Sequence, residues 1–393
     1  MSHQLIARSP ALSKLRAEGY GVEVRAGKYL LIHPVPYATP RKTVESGTLV
    51  CELTFAGNDV IAPNDHVMYF VGEYPCDSAG NQLDKIFNAS RRFELTPGLF
   101  VDHTFSAKPV GRGGYVDFYE KVTVYVSKIT AHARHLDPSA DAKTFRVVET
   151  PEEESPFRYP DTASSRAEID AITAKLEKGS VGIVGVGGTG AYILDLVAKT
   201  PVKEIHLFDG DTFSQHNAFR SPGAPTADEL NGRPKKATYF AEKYAAMRYR
   251  LSAHAYFIDA TNVSELLNMD FVFICVDRGA ARKLISETLE SHAKSFIDAG
   301  MGLVVNEGQL LGLTRVTTST PVKHDHAARR LPFSETADNE YTRNIQIADL
   351  NALNAAFAVI RWKKLWGFYS DAEQEFHSTF SVASNVIANA ETI

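Results

Sequence analysis

Ten residues limit what this chain can fold into more than any others. Val181–Gly190 reads VGIVGVGGTG, an apolar run closed by Gly185, Gly187, Gly188 and Gly190 and followed by Ala191, Ile193 and Leu194. That order predicts a short strand, a tight turn and a helix. Gly185 permits the turn, Gly187 lets a phosphate approach the backbone, and Gly190 lets the helix pack closely on the strand. Gly188 completes the glycine cradle. The first N–H groups of a helix have no intrahelical partner and so face an anion. A plain turn is the alternative reading of the same glycines.

The next predicted strand, Glu204–Phe208, runs into Asp209, Gly210 and Asp211. A carboxylate at the end of that strand suits the two hydroxyls of a ribose. Asp211 is equally suited to cap a turn.

From about residue 166 onward strands and helices alternate. Helical period covers Arg166–Glu177, Thr189–Lys199, Lys235–Tyr249, Ala280–His292 and a long stretch of about Ile345–Trp366. Apolar strand runs cover Val181–Val186, Ala253–Asp259, Phe271–Val276 and Ser295–Asp298, and a polar tail closes the chain. This alternation predicts an α/β fold with a Rossmann-like, mostly parallel sheet covered on both faces.

Residues 1–148 read differently, as a separate β-rich domain. A short helix over Ser9–Glu18 starts with Ser9 as cap and Pro10 at the first helical position. Strands are predicted at Gly21–Arg25, Tyr29–His33, Thr48–Phe55, Val67–Glu73, Phe93–Leu95, part of Val116–Thr130, and Thr144–Val148. The aromatic stretches Val101–Pro109 and Tyr115–Tyr125 suit either a protein-binding face or a small core. Between the domains, Pro151–Pro160 carries three prolines and three glutamates. Residues 149–165 are therefore expected to be a linker, and 166–393 the second domain.

Composition excludes several classes. The chain has 393 residues, 44% hydrophobic and 23% charged, with a net charge of −5. A broadly basic nucleic-acid coat is not compatible with that balance, so nucleic acid is not expected as a partner. Cys51, Cys76 and Cys275 form neither a disulfide framework nor a CxxC zinc pair. No apolar run is long enough to span a membrane, and the first twenty residues do not read as a signal peptide. The expectation is a cytoplasmic protein.

The residues after Asp211 carry the chemistry. In order come Asn217 and Arg220, then Gly232-Arg233-Pro234-Lys235, then Asp277 after an apolar strand. Hydride transfer to a nicotinamide needs no such set. Adenylyl transfer does, because a negative carboxylate attacks and the leaving pyrophosphate gains charge. Asn217, Arg220 and Lys235 meet that charge, and a carboxylate such as Asp277 holds Mg²⁺.

The set GxGGxG, DxD, NxxR, GxPK and a late Asp resembles the ubiquitin-activating-enzyme-like adenylyltransferases, the ThiF and MoeB kind, over roughly residues 158–366. The resemblance implies ATP and Mg²⁺ as cofactors. It implies Asp209 on ribose, Asn217 and Arg220 on the phosphates, Lys235 on the β- and γ-phosphates, Asp277 on Mg²⁺ and Asp211 nearby. It also implies a homodimer in which an arginine from before the first strand enters the partner's site. Arg166 is preferred for that role over Arg158, which sits in the expected linker. The N-terminal domain resembles one that precedes activating domains in bacterial modifier operons. A ubiquitin-like protein substrate and a conjugating-enzyme-like partner follow from that resemblance.

One departure stands out. Many relatives carry a thioester-forming cysteine in the crossover loop, here 321–344, and this loop has none. The paired zinc-binding cysteines are missing as well. Two outcomes stay open: direct hand-over of an acyl-adenylate, or an oxyester on a hydroxyl such as Thr342, with Ser334 and Thr336 in the same loop. His324 and His326 are candidates for base or metal ligand, or for solvated loop. Other functions compatible with the motifs are adenylation of a small-molecule, tRNA or peptide carboxylate, a nicotinamide oxidoreductase, and a non-catalytic binding module.

Overall fold

The computed structural model describes residues 2–109, 111–153, 155–167, 169–334 and 346–392. The chain forms two compact units. One comprises residues 1–155 and 159–170, the other 156–158 and 171–393. The segment 149–165 is thus shared between them, and its three residues 156–158 pack with the second unit.

The first unit is a six-stranded antiparallel sheet. Its strands are β1 Val22–Arg25, β2 Tyr29–Ala38, β3 Val44–Glu52, β4 Val67–Val71, β5 Phe87–Thr96 and β6 Leu99–Ser106, in the spatial order β1-β2-β3-β4-β6-β5. Helix α1, Pro10–Ala17, starts as its sequence predicts: the Ser9 side chain accepts the Leu12 N–H.

The segment expected as strand around Val116–Thr130 is instead helix α2, Phe118–Leu136. Asp117 caps it by accepting the Glu120 N–H at 2.7 Å. Phe118, Val122, Tyr125, Val126, Ile129 and Ala133 then form one buried stripe at helical spacing. Packing of that stripe overrides the β-propensity of its valines and tyrosines. Tyr115, Tyr125 and Phe105 therefore fill the core rather than offer a binding face. No strand forms at Thr144–Val148, where Phe145 and Val147 are exposed.

The second unit is an eight-stranded sheet. Its strands are β7 Ser180–Val184, β8 Glu204–Phe208, β9 Leu251–His254, β10 Phe271–Ile274, β11 Phe296–Asn306, β12 Gln309–Ser319, β13 Glu375–Ser381 and β14 Val386–Thr392. The order is β9-β8-β7-β10-β11-β12-β13-β14. The first five strands are parallel and the last three antiparallel. The tail, read from sequence only as polar, is the hairpin β13–β14. Its pattern was hidden because polar Glu375 and His377 are buried while apolar Val386 and Ile387 are exposed.

Helices α3 Gly188–Ala198, α4 Lys236–Tyr244 and α6 Ala348–Leu365 bury one face of the sheet, and α5 Gly279–Ser291 the other. The helix expected over Arg166–Glu177 is broken into short turns, Thr162–Arg166, Asp170–Thr173 and Ala174–Leu176. Among the described residues no helix is long and apolar enough to cross a membrane.

The topology places a crevice. The chain leaves β7 for β8 on one side, and β10 returns to its other side. Strand order reverses there, and the carboxyl ends of β7, β8 and β10 open onto one space.

Candidate active site

The glycine turn sits at that space. Gly185 has φ +87°, and a Cβ on it would lie 2.7 Å from the Cys275 carbonyl oxygen, so only glycine fits. A Cβ on Gly190 would lie 1.8 Å from the Gly185 oxygen, which is the close helix–strand approach the sequence implies. At Gly187 a Cβ would meet nothing within 4 Å. That side of the turn is open to a ligand. Gly188 is different: it makes room for the Asn351 side chain on α6.

Asp209 follows β8 and is 7% exposed. Its two oxygens accept the Val186 and Asp211 N–H groups, each at 2.8 Å. The acid therefore shapes the glycine turn, and its remaining lone pairs are available to a ribose. Burial pushes its carboxyl above the ordinary carboxylate range, while Lys236 and the two N–H donors pull the other way.

Asp211 is half exposed and pairs with Lys236 at 2.8 Å. Sequence reasoning passed over Lys236, although it stands beside Lys235. It is the buried member of the pair and neutralises the acidic strand end. Lys235 is exposed and donates to the Gly210 carbonyl at 2.6 Å, at the same mouth.

Asn217 lies in the short helix Gln215–Ala218 and is 2% exposed. Its Oδ1 accepts the Ser214 N–H at 2.9 Å, but its Nδ2 is buried with no hydrogen-bond partner. The Nε of Arg220 is buried and unpartnered as well. Two orphaned donors, three residues apart in sequence, would each be satisfied by an anion.

Burial pulls the Arg220 guanidinium below its ordinary value, and the charges of Asp277 and Asp211 hold it up. Arg220 therefore feels the charges of both Asp211 and Asp277. Asp277 is exposed just beyond β10, with no hydrogen bond among the described residues. One exposed carboxylate fits a Mg²⁺ held by one or two carboxylates plus phosphate oxygens of a bound nucleotide. Burial first, then the charges of Arg220 and Lys236, lower the His216 pKa, while Asp211 opposes them.

Asn351 was also missed. It is fully buried on α6, accepts from Thr189 Oγ1 at 2.9 Å and donates to the Arg220 carbonyl at 3.3 Å. One side chain thus ties the helix after the glycine turn to the arginine segment. No local signal marks it, because Asn354 and Arg361 are also buried on the same helix.

Residues 163–389, more than half of the chain, match the ThiF family. The chain belongs to the ThiF family. That makes it a nucleotide-binding enzyme of the adenylyltransferase kind. Residues 10–162 match a family described as a domain of unknown function, DUF6791. No protein of curated function matches the chain. Among solved structures the ThiF domain is similar to PaaA, at 16% identity over 59% of this chain and 80% of PaaA, with a TM-score of 0.46. It is also similar to E. coli MccB, at 18% identity over 56% of this chain and 64% of MccB, with a TM-score of 0.46.

Several of the remaining sequence candidates have no described position. Thr336 and Thr342 lie outside the described residues, as does the side chain of Arg166. Ser334 is exposed in the crossover segment. Arg158 is engaged within its own unit, with its guanidinium 4.2 Å from the Tyr249 ring. His324 is exposed, whereas His326 is fully buried and hydrogen-bonds the Thr318 carbonyl through Nε2 at 2.8 Å. The two histidines therefore do not act as a pair.

The cysteines do not suit nucleophilic work. Burial pushes the Cys51 thiol up to about 12 and raises those of Cys76 and Cys275. None is a thiolate at neutral pH.

Proposed function

We propose that this ThiF-family chain adenylates the C-terminal carboxylate of a ubiquitin-like protein, as the activating enzyme of a bacterial modifier pathway. What supports the adenylation is the glycine turn braced by Asp209, the unpartnered buried donors of Asn217 and Arg220, and the charge interaction of Arg220 with Asp211 and Asp277. The choice of a protein substrate rests on the N-terminal domain and its resemblance to modifier-operon proteins.

The chemistry needs no general base, because a terminal carboxylate is already ionised at neutral pH. Its oxygen attacks the α-phosphorus of ATP, the bond to the bridging oxygen of the β-phosphate breaks, and pyrophosphate leaves. What the protein supplies is position and charge neutralisation. The turn at Gly185–Gly190 seats the phosphates and Asp209 holds the ribose. Asn217 Nδ2 and Arg220 satisfy their orphaned donors on phosphate oxygens, and Lys235 exchanges the Gly210 carbonyl for another. Asp277, with Asp211 beside it, would hold Mg²⁺, which when bound neutralises the β- and γ-oxygens.

The acyl-adenylate then passes to a conjugating-enzyme-like partner without a cysteine of this chain. Two copies form the active unit, each lending Arg166 to the other.

Incubation with ATP, Mg²⁺ and a ubiquitin-like protein, followed by intact-mass analysis, tests the reading. The modifier is expected to gain one AMP. A modifier of unchanged mass, with AMP appearing on a small carboxylate or a peptide instead, would move the assignment to another substrate.

A further inference from the structure

Arg282 lies on α5, five residues after Asp277, and is 6% exposed. Its guanidinium has three different partners. Nε pairs with Asp298 at 2.9 Å, Nη2 donates to the Val276 carbonyl, and Nη1 donates to the Pro332 carbonyl at 2.8 Å. Val276 is the residue before Asp277. Pro332 belongs to the crossover loop. Asp298 is fully buried and is shared with Arg315 from β12, so the acid fixes the plane of the fork.

A second contact joins the same two segments. A Cβ on Gly279 would lie 2.4 Å from the Phe333 oxygen, so the crossover backbone rests on the first turn of α5.

We infer that Arg282 is a positioning residue that couples the Asp277 loop to the crossover segment. A guanidinium with its donors directed to three fixed acceptors holds both backbones in one geometry, and lysine cannot reproduce that fork. Movement of residues 332–334 is then felt at Asp277, and occupancy at Asp277 is felt in the crossover segment. This regulatory link rests on the adenylation reading for its meaning, but the coupling is a property of the apoprotein.

Hydrogen exchange on the full-length chain, with and without nucleotide, tests it. Arg282→Lys is expected to raise amide exchange at 276–279 and 330–334 together, by fivefold or more, with the rest of the ThiF domain unchanged. Gly279→Ala disturbs the second contact without touching Arg282 and is expected to raise exchange in the same two segments. In binding of a fluorescent ATP analogue, Arg282→Lys is expected to raise the Mg²⁺ concentration at half-saturation at least fivefold, with metal-free binding unchanged.

A merely structural role would raise exchange across the whole domain and leave the Mg²⁺ requirement unmoved, and that outcome overturns the inference. Exchange rising in one segment only also overturns it. A wild-type chain that binds no nucleotide removes the adenylation reading instead, and the paired exchange response then decides the coupling alone.

Discussion

The Asp209 carboxylate accepts the N–H of Val186, from the middle of the glycine turn, at 2.8 Å. The acid assigned to ribose from sequence is thus also the brace of the phosphate cradle. Asp209→Asn keeps the shape but points an NH₂ at one of two N–H donors. The expected result is a loss of about 1–3 kcal/mol of stability together with a loss of ATP affinity. Chemical denaturation and nucleotide titration of the same variant check both.

Two glycines of the turn are expected to separate folding from binding. Gly190→Ala places a carbon 1.8 Å from the Gly185 oxygen and is expected to cost roughly 3 kcal/mol or more. Gly187→Ala meets no atom within 4 Å. It is expected to melt like wild type yet bind ATP at least tenfold more weakly, because the new methyl occupies the open side. Equal affinity of Gly187→Ala and wild type would place the phosphates elsewhere.

Asn351→Ala removes the bridge between Thr189 and the Arg220 carbonyl. Its partners are then left in a buried site, at an expected cost of about 1–3 kcal/mol. The freed Arg220 segment is expected to lower pyrophosphate–ATP exchange more than it lowers ATP binding. Comparing the two measurements on one preparation distinguishes this from general unfolding.

His377 sets a pH dependence of stability. It is 7% exposed, and burial, then Arg330 and Arg315, pull its pKa down to about 4. The unfolded chain takes up that proton near pH 6.5, while the folded chain resists it until about pH 4. Between those values the unfolded state binds more protons, so stability falls as pH falls. The histidine contributes roughly 1–3 kcal/mol to that loss. His377→Gln is expected to flatten the difference in denaturation midpoint between pH 7 and pH 5. An unchanged slope in the variant would assign the loss to other groups.

What was legible in the sequence follows from which residues act locally. The strand, glycine turn and helix at Val181–Ala198 form because each residue satisfies its neighbours, so ten letters suffice to read them. Asp209, Asn217 and Arg220 could be singled out in the sequence because the proposed adenylyl transfer asks for polar and charged groups after a glycine turn; their buried or unpartnered atoms appear only in the fold. Helix Phe118–Leu136 was misread because its valines and tyrosines favour strands locally, and only the sheet it packs on decides otherwise. The hairpin Glu375–Thr392 was missed because it buries polar Glu375 and His377 and exposes apolar Val386 and Ile387, the reverse of the usual pattern. Asn351, Lys236 and Arg282 were not legible as site residues. Their importance lies in partners 25 to 162 residues away, which no local pattern encodes.

The most direct test of the central claim is pyrophosphate–ATP exchange driven by a ubiquitin-like protein with a free C-terminal carboxylate. Exchange is expected with the wild-type chain, and it is expected to vanish in Arg220→Ala and Asp277→Ala while circular dichroism stays unchanged. Exchange that persists in both variants, or that proceeds equally with an amidated modifier terminus, would contradict the account.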